Sequence, residues 1–168
     1  MVLKNQKWDK IVEVFFEYPH QAFTIRELAK RTKIPPSSIQ RYVERLRKEG
    51  VLTEENELIT TPYIKFKKAT FLIDKLFSSG LVEYLEKMLT PSAIILFGSA
   101  RKGEYEHKSD IDLFIETTKR QDIDLSGFEK KIGHDIQLFV KSKISEISPE
   151  LLNSVLNGIK LQGYVKVK

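Results

Sequence analysis

The stretch from Leu96 to Glu116, LFGSARKGEYEHKSDIDLFIE, constrains this chain more than any other. An apolar run, Ala93 to Phe97, reads as a buried strand and halts at Gly98-Ser99. Ten residues separate Ser99 from Asp110-Ile111-Asp112, which opens a second apolar run, Leu113 to Ile115. Side chains at i and i+2 of a strand share a face. Asp110 and Asp112 therefore point one way, while Ile111, Leu113 and Ile115 point into a core. Neighbouring carboxylates raise each other's pKa unless a cation lies between them. Hard oxygen donors so arranged suit Mg²⁺, which takes one or two carboxylates together with phosphate oxygens. Alone, an Asp-x-Asp at a strand start also fits a solvated edge, and Gly-Ser a plain turn. Their spacing, each beside a buried strand, makes the combination specific.

The stretch resembles the signature of the polymerase-β-like nucleotidyltransferase superfamily in its minimal form: Gly-Ser, ten residues, Asp-x-Asp. The likeness runs from about Ala93 to Gly163 and is strongest at Phe97-Gly98-Ser99, Lys102-Gly103 and Ser109-Asp110-Ile111-Asp112-Leu113. It implies Mg²⁺-dependent transfer of a nucleoside monophosphate from ATP or another NTP to an acceptor hydroxyl. By the same resemblance Gly98, Ser99, Lys102 and Ser109 bind the nucleotide, and Asp110 and Asp112 are catalytic carboxylates that hold the metal. The family also draws a third carboxylate from a later strand. That strand is expected at Asp135–Val140, after a helix over Leu125–Ile132 and a stop at Gly133. Matching the apolar neighbours puts the third position on Gln137, whose amide can touch a metal but cannot act as a base. Asp135, two residues earlier on the same face, is the alternative metal ligand and catalytic carboxylate; His134 beside the turn reads as structural.

With 41% hydrophobic and 30% charged residues, the 168-residue chain has the makeup of a soluble globular protein of one or two small domains. It has no cysteine, which excludes disulfides and thiolate metal sites. No apolar run approaches the roughly 18 residues of a membrane span, and the first ten residues lack a secretory apolar region. A cytoplasmic protein with no membrane partner is expected. The net charge of +5 is unevenly placed: residues 1–80 hold 15 Lys and Arg against 10 Asp and Glu, and residues 81–168 hold 13 against 13. The first half is the one suited to a polyanion.

That half reads as three helices. Trp8, Ile11, Val12, Phe15 and Phe16 give residues 6–18 a helical apolar face that Pro19 ends. Thr24 and Glu27 form a capping-box pattern ahead of Leu28 and Ala29. Pro36 opens a third helix that buries Ile39, Val43 and Leu46 and stops before Gly50. Two short strands, Val51–Thr53 and Leu58–Thr60, are expected around a polar turn. Residues 5–62 thus resemble a winged helix-turn-helix domain. Ser37, Ser38, Arg41, Arg45 and Lys48 share one face of the third helix and are the DNA-binding candidates. A solvated face laced by pairs such as Arg41 with Glu44 is the competing reading. The wing tip, Glu54-Glu55-Asn56-Glu57, is acidic and so unsuited to phosphates; dimerisation or partner binding is the alternative use of this half.

Helices are expected over 64–77, burying Phe66, Ala69, Ile73 and Phe77 and carrying solvated Lys65, Lys67 and Lys68, and over 80–89, burying Leu81, Leu85, Met88 and Leu89. Ser148-Pro149 starts a last helix, and Ile159–Gly163 forms a last strand. The fold class expected is α+β. A winged domain spans 1–62, a helical linker 63–79 and an α/β nucleotidyltransferase domain with a small mixed sheet 80–168, with a boundary near residue 78. Two functions compete. One is an enzyme that uses Mg²⁺ and NTP to modify a protein acceptor such as a paired toxin. The other is a non-catalytic DNA-binding regulator whose second domain binds nucleotide or forms a homodimer.

Overall fold

A computed structural model describes residues 6–166. The chain divides into two compact units, one through Lys65 and one from Phe66.

In the first unit, α1 (Gln6–Glu17) turns Ile11, Phe15 and Phe16 inward. The capping box of α2 (Ile25–Thr32) is formed: Glu27 N–H donates to Thr24 Oγ1 at 3.2 Å, and Thr24 N–H donates to Glu27 Oε2 at 2.8 Å. Lys33, at φ 58°, ends that helix in the left-handed region. α3 (Pro36–Lys48) begins on Pro36, whose missing N–H has no partner to lose there, and buries Ile39, Val43 and Leu46. Each such side chain contributes about 1.5–3 kcal/mol by leaving water.

The wing is smaller than expected. Instead of two strands it has one antiparallel bridge, Leu52 with Leu58, flanked by Thr53 N–H to Glu57 O and Ile59 N–H to Val51 O, each 2.9 Å. Its ladder is short because Asn56, at φ 63°, turns inward and is fixed from outside the wing. Arg47 donates to Asn56 Oδ1 through Nε at 2.9 Å and Nη2 at 2.6 Å, and Asn56 Nδ2 donates to Phe23 O at 2.9 Å.

α4 (Pro62–Ser78) starts at the end of the first unit and continues into the second, where α5 (Leu81–Leu89) follows. Then come β1 (Ala93–Phe97), α6 (Gly98–Lys102), β2 (Ile111–Glu116), α7 (Ser126–Ile132), β3 (Ile136–Lys141), α8 (Pro149–Leu156) and β4 (Ile159–Gly163). The sheet order is β3-β2-β1-β4. β1 is antiparallel to β2 and β4, while β3 is parallel to β2, the pairing that needs a crossover such as α7. Ile94, Leu96, Ile111, Leu113 and Ile115 face a core shared with Leu72 and Leu76 of α4 and Leu81, Leu85 and Leu89 of α5. Ala93, Ile95, Phe97 and Phe114 face the other way, against Val155 of α8. The architecture is the expected α+β class with a small mixed sheet.

The face of α4 differs from expectation. Ile64, Lys68, Ala69, Leu72 and Leu76 are buried, whereas Phe66 and Phe77 are 59% and 45% exposed. The helix is turned so that Leu72 and Leu76, which pack in the core beneath the sheet, go inward. Lys68 is accordingly buried rather than solvated, its Nζ donating to the Tyr105 carbonyl at 2.8 Å.

Candidate functional site

The site forms where β1 ends and β2 begins, adjacent ends of antiparallel neighbours. Phe97 is the register partner of Asp112, so the two share a face. The next residue, Gly98, has φ +70°, and a Cβ there would run into Asp112 Oδ2. Only glycine allows this approach of backbone to carboxylate. The half-buried Asp112 has its pKa raised above the ordinary carboxylate value, first by burial and then by the charge of Asp110.

Gly98 also opens α6, a single turn anchored by buried Ala100. Ser99 is half-buried, and its carbonyl accepts from Gly103 N–H and, at 3.0 Å, from Glu104 N–H. Gly103, at φ 67°, closes the turn and leaves Arg101 and Lys102 exposed. Asp110 is exposed and immediately precedes β2.

β3 starts one residue later than expected, at Ile136, so Asp135 lies just outside it. The register pairs Ile111 with Ile136 and Asp112 with Gln137. One step before the first pair stand Asp110 and Asp135, joined by the Ile111 N–H to Asp135 O bond of 2.9 Å. Gln137 is thus beside Asp112, and Asp135 continues the register beside Asp110. Among the described residues no three His, Cys, Asp or Glu side chains gather closely enough to hold a metal between them. Asp110 and Asp112 are a two-carboxylate donor set, the number Mg²⁺ commonly takes alongside phosphate oxygens. The residues present fit that ion.

Tyr105, which the sequence did not single out, braces the loop between the two motifs together with Lys68, His134 and Ser109. Tyr105 is buried; its hydroxyl donates to the Lys68 carbonyl at 3.3 Å while its own carbonyl accepts from Lys68 Nζ. His134 meets the Tyr105 ring edge-on, with 5.5 Å between centroids. Its Nδ1 is 2.8 Å from the Ser109 carbonyl, which can only accept, so Nδ1 carries the proton. Ser109 Oγ in turn accepts from Glu106 N–H at 2.8 Å. Ser109 therefore shapes the loop ahead of Asp110. The available signal was Tyr105 itself, the one aromatic in the polar run GEYEHKSD.

A groove of about 770 Å³ opens elsewhere, at the far end of β2 and β3, between Thr117–Ile123 and Leu138–Ser142. It lies a strand's length from Asp110 and Asp112 and contains no residue of either motif.

On α3 of the first unit, Ser37, Arg41, Arg45 and Lys48 are exposed and Ser38 is half-buried. The anticipated Arg41–Glu44 pair is replaced: Gln40 Nε2 donates to Glu44, and the i,i+4 ion pair joins Arg45 Nε to Glu49 at 2.7 Å. The Arg45 guanidinium also lies 5.4 Å from the Trp8 ring centroid. Among the described residues, no helix is long and apolar enough to cross a membrane.

Comparison with known proteins agrees with both halves. No curated protein matches the chain. Residues 24–53 match the model of a winged helix-turn-helix DNA-binding family, and residues 78–161, half of the chain, match that of the nucleotidyltransferase domain. With its Gly-Ser turn seated against an Asp-x-Asp strand, this chain belongs to the nucleotidyltransferase domain family and carries an N-terminal winged helix-turn-helix domain.

Proposed function

We propose that the second domain binds an NTP, ATP foremost, with Mg²⁺ and transfers its nucleoside monophosphate to an acceptor hydroxyl. The observation that carries this reading is the Asp112 carboxylate held against Gly98 with the charge of Asp110 beside it. Such a pair opposes folding unless a cation neutralises it, so its presence is explained by a ligand rather than by stability. Bound at Asp110 and Asp112, Mg²⁺ would polarise the phosphate and make the attacking hydroxyl more acidic.

The chain's own residues do the rest. The Gly98 backbone and the Ser99 hydroxyl bind phosphate oxygens, and Lys102 offsets charge on the departing pyrophosphate. Ser109 sets the direction of Asp110. Asp135, next to Asp110 in the register, takes the proton of the hydroxyl as it attacks the α-phosphorus. A partner-protein hydroxyl, such as that of a paired toxin, is the first acceptor to test.

The first domain is assigned to DNA, with Arg41, Arg45 and Lys48 on phosphates or base edges and Ser37 and Ser38 near the helix start. Exposure of that face supports this role, and the acidic tip at Glu54 and Glu55 leaves the wing out of it. A second reading draws support from Gln137 at the register position beside Asp112. In it the protein is a DNA-binding regulator that holds nucleotide without turning it over, in the cytoplasm as the enzyme would be.

Incubation with α-labelled ATP, Mg²⁺ and cell lysate separates the two. Label on an acceptor with wild type, lost in Asp110→Ala/Asp112→Ala, is expected of the enzyme. Calorimetric binding of Mg·ATP with no label transferred establishes the regulator instead. For DNA, Arg41→Ala/Arg45→Ala should weaken duplex binding and flatten its logarithmic salt dependence by roughly 0.9 per lost phosphate contact. Unchanged binding removes α3 as the contact.

A further inference from the structure

His134 is a polar side chain only 5% exposed, and the proposed chemistry leaves it without a part. It directly precedes Asp135, and its Nδ1–H donates at 2.8 Å to the carbonyl of Ser109, which directly precedes Asp110. One step on, Ile111 N–H donates to Asp135 O at 2.9 Å. Asp110 is therefore tied to the Asp135 segment on both sides, through Ser109 before it and Ile111 after it. Asp135 is held likewise, because the next residue, Ile136, donates its N–H to Glu129 Oε1 at 3.0 Å. Register pairing of β2 with β3 begins at Ile111 and Ile136, so the imidazole adds a rung beyond the end of the backbone ladder.

We propose that His134 is a positioning residue that fixes Asp110 and Asp135, the metal-holding and proton-accepting carboxylates, relative to each other. This role rests on the reading of Asp135 as the proton acceptor. Both carboxylates are exposed, so side-chain packing does little to aim them, and the backbone that carries them must. The imidazole is itself held in place. Tyr105, 1% exposed, meets it edge-on and is anchored by hydrogen bonds to Lys68 Nζ and to the Lys68 carbonyl. An aliphatic side chain would fill the same space without a polar group to desolvate. What histidine adds is a directional donor, and that donor ends on the segment that carries Asp110. Placement matters because a shift of about 1 Å in a reacting group costs roughly 10²-fold in rate.

Wild type is compared, as the full chain, with His134→Leu, which keeps bulk without the donor, and His134→Asn, whose amide nitrogen takes the place of Nδ1. Label transfer from α-labelled ATP at saturating Mg²⁺ should fall about 10–10²-fold in His134→Leu, with Mg·ATP affinity by calorimetry within about twofold of wild type. His134→Asn should recover most of the rate. Amide hydrogen exchange, read by NMR without turnover, should show Ile111 N–H opening about tenfold faster in His134→Leu and not in His134→Asn. Should His134→Leu fail to fold, His134→Gln, whose amide lies one bond farther out, gives the same comparison.

A His134→Leu protein as active as wild type overturns the role. So does an equal loss in His134→Asn, or a fall in Mg·ATP affinity that matches the fall in rate, since either makes the residue merely structural. Unchanged Ile111 exchange in His134→Leu overturns the role while the chemistry stands. Absence of transfer by wild type overturns the chemistry, and this role with it.

Discussion

Helix α3 and the carboxylate strand β2 present their proposed functional side chains by different routes. On α3 the exposed face follows from a period of 3.6 residues, a proline at its first turn and Gly50 after its end, all within 15 residues of sequence. On β2 the address of Asp112 depends on Phe97 in one neighbouring strand and Gln137 in the other, from segments 15 and 25 residues away. The helical site is local and fault-tolerant, since a lost arginine leaves the helix intact. The strand site is non-local, and a change at any of three segments reaches the same carboxylate.

Substitutions at the two sites test that contrast. The largest effect is expected at Asp135. Asp135→Asn should lower turnover by about 10²–10⁴-fold while nucleotide binding, read by calorimetry, persists. Gln137→Ala should do far less, and an equal loss in both would remove Asp135 as the proposed proton acceptor, since an amide cannot take that role. Next comes Gly98→Ala, which places a Cβ in the left-handed region and into Asp112 Oδ2. A destabilisation of about 1–3 kcal/mol in chemical denaturation is expected, together with loss of Mg·ATP binding. Thr24→Ala, which removes the local cap of α2, should cost about 1 kcal/mol and leave nucleotide binding unaltered. If Gly98→Ala proved as mild as the cap deletion, the claim of a tightly built non-local site would fail.

The smallest effect concerns pH. Because folding raises the Asp112 pKa, the native state binds a proton more readily than the unfolded chain. Its penalty on stability therefore appears as pH rises from the ordinary carboxylate value through the raised one, and vanishes below both. In metal-free buffer Asp112→Asn should melt slightly above wild type at neutral pH, by about one or two degrees, with the gap closing in acid. Added Mg²⁺ should stabilise wild type and not this variant.

Much of the fold was legible in particular residues. The Thr24–Glu27 box, Pro36, Ser148-Pro149 and Gly50 mark helix ends because capping involves groups three or four residues apart. Other parts were not. A period count on α4 could not tell the Phe66–Phe77 stripe from the Leu72–Leu76 stripe, since both are apolar at helical spacing and only the shape of the sheet chooses between them. Lys68 looked like a solvated lysine because its acceptor, the Tyr105 carbonyl, is 37 residues away.

At the site, residue spacing alone places Asp110 and Asp112 on one face and a glycine turn ahead of them. It likewise places Asp135 and Gln137 on one face, because both spacings are two residues along a strand of period two. That same period made it unable to say which of Asp135 and Gln137 stands beside Asp112, since sliding the strand by two residues preserves every inside–outside assignment. The choice is made by packing between strands. The Ile111–Ile136 register, set by packing two branched side chains into one core, puts Gln137 beside Asp112 and continues to Asp135 beside Asp110.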